Sequence, residues 1–176
     1  MWAMSTSKEP YHHGDLRPAL LAAAEALLVA EGPAGLSLRA VARAAGVSHN
    51  APYRHFASRE ALLAALAAEG FGRLGAALRQ AGGLAGQGRA YLAFAAGHPA
   101  LYRLMFGAEL QGTSHPALRQ AAAGAFAPLA GVAADRSTAL AAWALVHGLA
   151  GLRADGHWPT DVDPLTVLSI AIPAKP

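Results

Sequence analysis

The side chains best suited to a chemical role are crowded between residues 37 and 59. This stretch contains four arginines and no carboxylate. It also contains hydroxyl, amide and imidazole groups, which form hydrogen bonds with phosphate oxygens and with base edges. A local excess of positive charge beside such groups suits a polyanion, and nucleic acid is the first polyanion to consider.

Two short helices joined by a tight turn would position these side chains. In the first helix the apolar residues recur at the i, i+3, i+4, i+7 spacing of a buried stripe, namely Leu38, Val41, Ala42 and Ala45. Gly46 ends this helix, because glycine accepts the left-handed conformation of a helix C-terminus. Ser48 is expected to cap a second helix that reaches about His55. A helix, a glycine turn and a capped helix with polar tips form the pattern of a helix-turn-helix.

Pro52 lies early in this second helix. As the fourth residue after the expected cap, it removes the first i→i−4 hydrogen bond. The loss costs little there, because the proline ring has almost no preceding helix to strike. We therefore expect an α-helix from Ser48 to about His55 in spite of the proline.

The composition favours an all-α protein. Of the 176 residues, 54% are hydrophobic, largely alanine and leucine, which are strong helix formers. β-Branched residues are sparse, which argues against a substantial sheet. The net charge is only +3, and the basic excess is concentrated in the stretch described above. Cysteine is absent, which leaves no disulfide framework and no thiolate metal site.

No segment has the pattern of a targeting signal or a membrane span. Residues 1–10 are polar, lack an apolar signal core and are interpreted as a flexible leader. The longest apolar run, residues 139–152, is shorter than the ~20 residues needed to cross a bilayer. We interpret this run as a buried core helix and expect a cytoplasmic protein.

Caps, glycines and prolines divide the chain into about nine helices. The expected caps, besides Ser48, are Asp15, Ser37, Ser58, Thr113-Ser114 and the segment from Asp135 to Ser137. Residues 81–88 are glycine-rich, so a loop is expected there and the fifth helix should begin at about Gln87. A long fourth helix, from Ser58 to about Gln80, would join an N-terminal domain, residues 1–57, to a C-terminal helical bundle domain, residues 58–176.

Over its first 60 residues the chain resembles the TetR family of one-component transcriptional regulators. The resemblance rests on an ordered series of motifs: Tyr11-His12-His13-Gly14-Asp15-Leu16-Arg17, Leu36-Ser37-Leu38-Arg39 with Val41-Ala42, Gly46-Val47-Ser48, Pro52-Tyr53-Arg54-His55-Phe56 and Ser58-Arg59-Glu60-Ala61-Leu62-Leu63. The remainder is similar to the C-terminal domain subclass named for its Trp-His-Gly pattern. That similarity rests on Gly97-His98-Pro99, Leu101-Tyr102-Arg103-Leu104-Met105-Phe106, Trp143 and His147-Gly148.

The resemblance implies a DNA-binding surface in the helix-turn-helix. Its ten residues are Ser37, Arg39, Ser48, His49, Asn50, Ala51, Tyr53, Arg54, His55 and Arg59. His49 and Asn50 would point at base edges in the major groove, with Ala51 near a thymine methyl group. The phosphate contacts would come from Ser37, Arg39, Tyr53, His55 and Arg59, and Arg54 could reach either backbone or base.

Several of these side chains allow a simpler interpretation. Arg39 could be an ordinary surface charge, and the ring of Tyr53 could pack in the core while its hydroxyl reaches phosphate. Phe56 is expected to be a core residue. His12 and His13 fit a solvated arm or helix start better than a tag remnant or a metal site.

The resemblance also implies an effector cavity in the C-terminal domain. The residues expected to line it are Phe71, Leu74, Leu78, Phe94, Tyr102, Met105, Phe106, Trp143 and His147. A mainly apolar lining predicts a hydrophobic or aromatic ligand. Trp143 and His147 lie four residues apart on one helix face. They form either a structural pair, with His147 bonded to a buried carbonyl or hydroxyl, or a direct ligand contact. No second ligand at a convincing spacing supports a metal.

Small residues mark the last helices as a pairing surface. In the family, the last two helices pair with those of a second subunit as a four-helix bundle, and small side chains permit close helix approach. The expected dimer residues are Leu140, Ala144, Gly148, Gly151, Leu165, Leu168 and Ile172.

We therefore expect an all-α homodimeric transcription regulator without cofactor or metal. It would repress from a palindromic operator of double-stranded DNA and be released by a small apolar or aromatic effector. One alternative is a helical small-molecule binding or interaction protein whose head no longer reads DNA. A second is an enzyme, but there is no paired-carboxylate site, nucleophile motif or phosphate-binding glycine loop, and the pocket offers little beyond His98, Tyr102 and His147.

Overall fold

The structure, a computed structural model, describes residues 16–112 and 115–172. Within these ranges the chain is entirely helical, which confirms the all-α prediction. The α-helices are α1 (Leu16–Gly35), α2 (Leu38–Ala44), α3 (Arg59–Gln80), α4 (Gly83–Gly97), α5 (Pro99–Phe106), α6 (Pro116–Val132), α7 (Arg136–Ala154) and α8 (Pro164–Ala171). Two short 3₁₀ helices cover Ala51–Arg54 and Ala108–Leu110. The expected leader, the His12-His13 pair and the caps at Asp15 and Thr113-Ser114 fall outside the described residues.

Local signals interrupt α1 near its end and bound α2, whose start at Ser37 and end at Gly46 are as predicted. The chain breaks at Gly32, whose φ is 71°, immediately before Pro33. The Ser37 hydroxyl accepts a hydrogen bond from the Ala40 N–H at 3.0 Å and caps α2. Gly46, with a φ of 68°, closes the far end. The N–H groups of Gly46 and Val47 donate to the last free carbonyls of α2, at 3.2 and 3.0 Å.

The predicted second helix of the helix-turn-helix is wrong in type and in length. It is a four-residue 3₁₀ helix, Ala51–Arg54, and Ser48 is not its cap. Because Pro52 has no N–H, the Ser48 carbonyl accepts instead from the Ala51 N–H, one residue earlier, at 2.9 Å. This tighter i→i+3 bonding continues from Tyr53 to Asn50 and from His55 to Pro52. The described chain therefore has eight α-helices rather than nine.

The glycine-rich stretch before Gln87 is also not the expected loop. Helix α4 already begins at Gly83. Gly88 lies inside the helix. A Cβ there would come within 2.9 Å of a Leu168 methyl group and 3.3 Å of Val146, which explains why the residue is glycine. Glycine at this position permits close packing of α4 on α7 and α8, and it does not break the helix.

Helix α3 is the central element of the fold. It packs on α1, α4 and α5, and most extensively on α6. Buried apolar residues form one continuous core from Leu20 in α1 to Leu168 in α8. The predicted N-terminal domain, residues 1–57, here called the head, is therefore packed against the predicted C-terminal domain, residues 58–176, here called the body. By length and composition alone α3 could cross a membrane, but more than half of its apolar window is buried against other helices. The domain boundary before residue 58 stays a prediction.

Candidate nucleic-acid interface and apolar cavity

The residues predicted to bind nucleic acid lie on an accessible surface. Nine of the ten are exposed, and Ala51 is half-buried. Tyr53 is 51% exposed, so its ring is available to a partner as well as to its own helix. Phe56 is buried, which confirms its core role, and the Arg17 guanidinium lies 5.5 Å above its ring. A cation over an aromatic face adds a further positive charge beside this surface.

Arg59 has a contact that the sequence did not reveal. Its Nε donates to the Leu36 carbonyl at 2.7 Å, and its Nη2 donates to the Pro33 carbonyl. These bonds fix the first residue of α3 to the end of α1 and to Leu36, which precedes α2. The Pro33 carbonyl also accepts from the Leu36 N–H at 3.2 Å, so the arginine adds a second donor there and a side-chain donor to the Leu36 carbonyl. The predicted phosphate contact would use the remaining guanidinium donors.

Two further contacts bond α3 to its neighbours, and the first of them joins the body to the head. Arg73 in α3 forms an ion pair with Glu25 in α1 at 2.7 Å, and its other nitrogen lies 3.1 Å from His98 Nδ1. Glu60, in the first turn of α3, contacts His115 Nε2 at 2.8 Å just before α6. Motion of α3 within the body would therefore shift α1 in the head through the Arg73–Glu25 ion pair.

An apolar cavity of about 460 Å³ lies between α3, α4, α6 and α7. Five of the predicted residues line it: Phe71, Leu74, Leu78, Phe106 and Trp143. Leu140 and Ile172, predicted for the dimer, also line it. Alanines and leucines of α6 supply much of the remaining wall. Among the described residues, the lining contains one charged side chain, Arg136, and no carboxylate.

Four predicted cavity residues lie elsewhere. Phe94 and Met105 are buried in the core and line neither this cavity nor the second cleft described next. Tyr102 and His147 instead line a cleft of about 640 Å³ between the end of α1, α5 and α7, here called the junction cleft. Helical spacing predicted that these side chains are buried. It could not predict which of the two spaces a side chain such as Tyr102 would line, because α5 packs on both α1 and α3.

A cluster of hydroxyl and imidazole groups separates the cavity from the junction cleft. The hydroxyls of Tyr91 and Tyr102 lie 2.9 and 2.8 Å from His147 Nδ1 and 3.4 Å from each other. Burial raises the pKa of both tyrosines, so they stay protonated. Burial lowers the pKa of His147, which favours the neutral ring. This arrangement is the structural pairing with a buried hydroxyl, while Trp143 faces the cavity.

Gln87 is the polar cavity residue that the sequence did not single out. It is 2% exposed, and its Nε2 donates to the Pro128 carbonyl at 3.1 Å. Its Oε1 is buried and has no hydrogen-bond partner within the described part of the chain. Since Gln87 and Pro128 are 41 residues apart, no local pattern could have paired them.

The predicted dimer surface is largely open in the single chain. Leu140 and Leu165 are 42% and 41% exposed, Ala144 and Gly148 are exposed, and Gly151 is half-exposed. Leu168 is a correction, because it is 2% exposed and packs on Gly88 of its own subunit. Two further apolar side chains that the sequence did not single out, Leu152 and Ile170, are exposed beside this surface.

The residues considered for catalysis do not form one cluster. His98 contacts Arg73 and Phe94, whereas Tyr102 and His147 contact each other in a different part of the body. Over residues 16–112 and 115–172, no group of three His, Cys, Asp or Glu side chains is placed to hold a metal ion.

Solved structures with the same architecture include a protein of unknown function from Rhodococcus sp. RHA1. It is 37% identical, with a TM-score of 0.79 over 93% of this chain and 95% of that chain. The multidrug binding protein EbrR complexed with proflavin is 28% identical, with a TM-score of 0.61 over 89% and 99%. A tetR family regulatory protein from Rhodococcus RHA1 is 22% identical, with a TM-score of 0.63 over 88% and 92%, and shows the fold alone. No curated protein matches the chain.

Two family models match consecutive parts of the sequence. The model of bacterial regulatory proteins of the tetR family matches residues 20–66, which contain the helix-turn-helix. The model of the tetracyclin repressor-like C-terminal domain matches residues 84–172, half of the chain, which contain most of the cavity. The chain therefore belongs to the tetR family of bacterial regulatory proteins, with a helix-turn-helix DNA-binding domain followed by a ligand-binding domain.

Proposed function

We propose that this regulator is a homodimeric repressor that is released from a palindromic operator by a small apolar or aromatic effector. The observation that carries the proposal is the position of α3. Its middle lines the apolar cavity through Phe71, Leu74 and Leu78, and its first residue, Arg59, is bonded to the head.

The exposed surface of residues 37–59 supports the DNA-binding part of this function. His49 and Asn50 lie in the turn before the 3₁₀ helix and are exposed, as base-reading side chains must be. Arg39, Tyr53 and Arg54 flank them and would contact phosphates. The Ser37 oxygen caps α2, and its hydroxyl proton stays free for a phosphate.

Coupling between cavity and operator follows from the contacts of α3. A ligand that fills the cavity presses on α3 and α6, which form the most extensive helix pair. The ion pair of Arg73 with Glu25 and the bonds of Arg59 transmit a tilt of α3 to the head. Release is then a population shift, because the ligand binds the arrangement that fits DNA poorly more tightly than the one that fits it well.

Dimerisation through α7 and α8 would set the spacing of the two heads. Leu140, Ala144 and Gly148 recur at i, i+4 and i+8 on an exposed face of α7. A Cβ built at Gly148 or Gly151 meets nothing within 4 Å, so a second helix can approach closely there. Two helices from each subunit would form a four-helix bundle. The Trp143, His147 and Gly148 pattern of α7 supports the Trp-His-Gly subclass, and a cytoplasmic location suits DNA binding.

A relative supports the aromatic part of the effector class. EbrR is described as a multidrug binding protein and has been crystallised with proflavin, a planar aromatic dye. Its similarity covers most of both chains. A cavity of about 460 Å³ with an apolar lining accommodates a ligand of two or three fused rings.

Selection of DNA sites from a random duplex library by the full chain tests the proposal. We expect enrichment of a palindrome whose half-sites match the two heads of a dimer. Placed within a promoter, that palindrome should lower reporter output when the protein is expressed. Higher output would make the protein an activator. Failure to enrich any sequence would favour the alternative of a helical binding protein that does not read DNA.

A further inference from the structure

We propose that the effector of the apolar cavity is an aromatic molecule that donates a hydrogen bond to Gln87 Oε1 and carries no positive charge. That the ligand acts as an effector rests on the proposed function. The chemical class of the ligand rests on the cavity alone. It defines the ligand more narrowly than an apolar lining does.

The orientation of the Gln87 amide is determined by its neighbour. A carbonyl oxygen only accepts hydrogen bonds, so the group facing the Pro128 carbonyl at 3.1 Å must be the amide nitrogen. The amide oxygen is then the free end. It is buried without a partner in the described part of the chain, and such an acceptor is costly unless a donor reaches it.

Of the polar groups around the cavity, the Tyr91 hydroxyl is engaged and Arg136 is an exposed side chain. The Tyr91 hydroxyl lies 2.9 Å from His147 Nδ1 and 3.4 Å from the Tyr102 hydroxyl. Neither Tyr91 nor Arg136 donates to Gln87 Oε1 in the described part of the chain. Oε1 is buried from solvent, so a ligand that packs against Gln87 leaves this acceptor unpaired unless the ligand supplies the donor itself.

The charge of the lining selects against cations. Arg136 is the charged residue that lines the cavity, and no carboxylate lines it. A cationic ligand would be buried without a counter-charge and near a like charge, which is unfavourable. Proflavin, the ligand crystallised with the relative EbrR, is a cationic diaminoacridine at neutral pH. The two cavities should therefore differ in charge preference, although both proteins share the fold.

Matched naphthalene probes test the donor. β-Naphthol and its methyl ether have the same ring, but only the naphthol donates a hydrogen bond. Titration calorimetry with the full chain should show about five- to tenfold tighter binding of the naphthol, the effect of one neutral hydrogen bond. Gln87→Met should remove this preference. The control Leu84→Met, also in the cavity lining on α4, should keep it.

A second variant keeps the test decisive if Gln87→Met fails to fold. Gln87→Glu retains an acceptor and adds a negative charge, so it should keep the preference for naphthol and bind proflavin at least tenfold more tightly than the natural chain does. Equal binding of naphthol and methyl ether by the natural chain would overturn the proposal, as would binding of neither. Tighter binding of proflavin than of naphthol by the natural chain would also overturn it.

This experiment separates the inference from the proposed function. The probes are first titrated against the free protein without DNA, and operator affinity is then measured with and without each probe. If naphthol binds with the expected preference but leaves operator affinity unchanged, the inference stands and release by a cavity ligand fails. If DNA is released by a compound that shows no dependence on Gln87, the proposed function stands and the inference fails.

Discussion

At the scale of single residues, Arg59 is bonded to the backbone before α2 and is also proposed to contact phosphate. Two carbonyls of the segment before α2 accept hydrogen bonds from its guanidinium. Its position at the start of α3 also keeps it beside the predicted DNA surface. A change at Arg59 should therefore affect folding and DNA binding together, whereas a change at Arg39 should affect DNA binding alone.

Arg59→Ala should lower the free energy of unfolding by about 1 kcal/mol, because the Leu36 carbonyl loses its side-chain donor and the Pro33 carbonyl keeps only the bond from the Leu36 N–H. Urea denaturation of the full chain measures this. Arg39→Ala is the matched control, since Arg39 is exposed on α2, and it should leave stability within about 0.5 kcal/mol of the natural chain. Both variants should weaken binding to every DNA sequence. Unchanged stability in Arg59→Ala would mean that its carbonyl contacts contribute nothing.

His147 makes stability depend on pH in a predictable direction. Burial lowers its pKa in the folded chain, while the unfolded chain keeps a value near 6.5. The unfolded state then binds the proton more readily, so stability is complete above about pH 6.5 and falls as the pH drops through the lowered pKa. Thermal unfolding between pH 8 and pH 5 should show this loss. His147→Gln should show a smaller one, and an equal loss would exclude His147 as the cause.

At the scale of helices and turns, local capping signals were predictable, and signals that depend on distant contacts were not. Ser37, Ser58 and Asp135 cap their helices as predicted, with bonds of 3.0, 3.1 and 2.8 Å to N–H groups three residues on. The α-helix predicted to begin at Ser48 did not form, because Pro52, four residues on, has no N–H to donate to the Ser48 carbonyl as an α-helical turn requires.

The same distinction applies to the cavity. Hydrophobic spacing predicted a buried face of α3 that includes Phe71, Leu74 and Leu78, because the buried face of one long helix follows from its own sequence. These three side chains also line the cavity. Gln87 and Tyr91 were missed, since their importance comes from Pro128 and His147, 41 and 56 residues away. Only the folded chain brings these partners together.

Close approach of α3 and α6 depends on Gly75. A Cβ there would lie 3.2 Å from the Ala125 Cα, and backbone cannot yield as a side-chain tip can. Gly75→Val should therefore destabilise the protein by about 1–3 kcal/mol through overpacking. Gly72→Val is the control on the same helix, because a Cβ at Gly72 meets nothing within 4 Å, and it should be neutral or slightly stabilising. Equal stability of the two variants in urea would contradict this packing.

At the scale of the whole molecule, head and body share one apolar core, and α3 runs through it. A signal from the cavity needs no flexible linker to reach the DNA surface. In the proposed dimer, a tilt of one head would change operator affinity by changing its spacing from the other head. The proposed surface on α7 and α8 is therefore as important to regulation as the cavity.

Gly148→Arg should convert the dimer to a monomer. In the single chain a Cβ at Gly148 meets nothing within 4 Å, so the arginine fits the monomer but would be buried at the proposed pairing surface. Light scattering after size-exclusion chromatography should report half the mass. Gly72→Arg, an equally open glycine on α3, should remain dimeric. A dimer that survives Gly148→Arg would place the interface elsewhere.

The most direct measurement of DNA reading is the affinity of the full chain for its selected palindrome and for a random duplex, over a series of salt concentrations. We predict that the palindrome binds about a thousandfold or more tightly than the random duplex, with log affinity falling linearly with log salt concentration. Asn50→Ala should reduce that preference by about 1–3 kcal/mol at one base pair. Equal affinity for both duplexes, or no binding at low salt, would contradict sequence-specific DNA reading by residues 37–59.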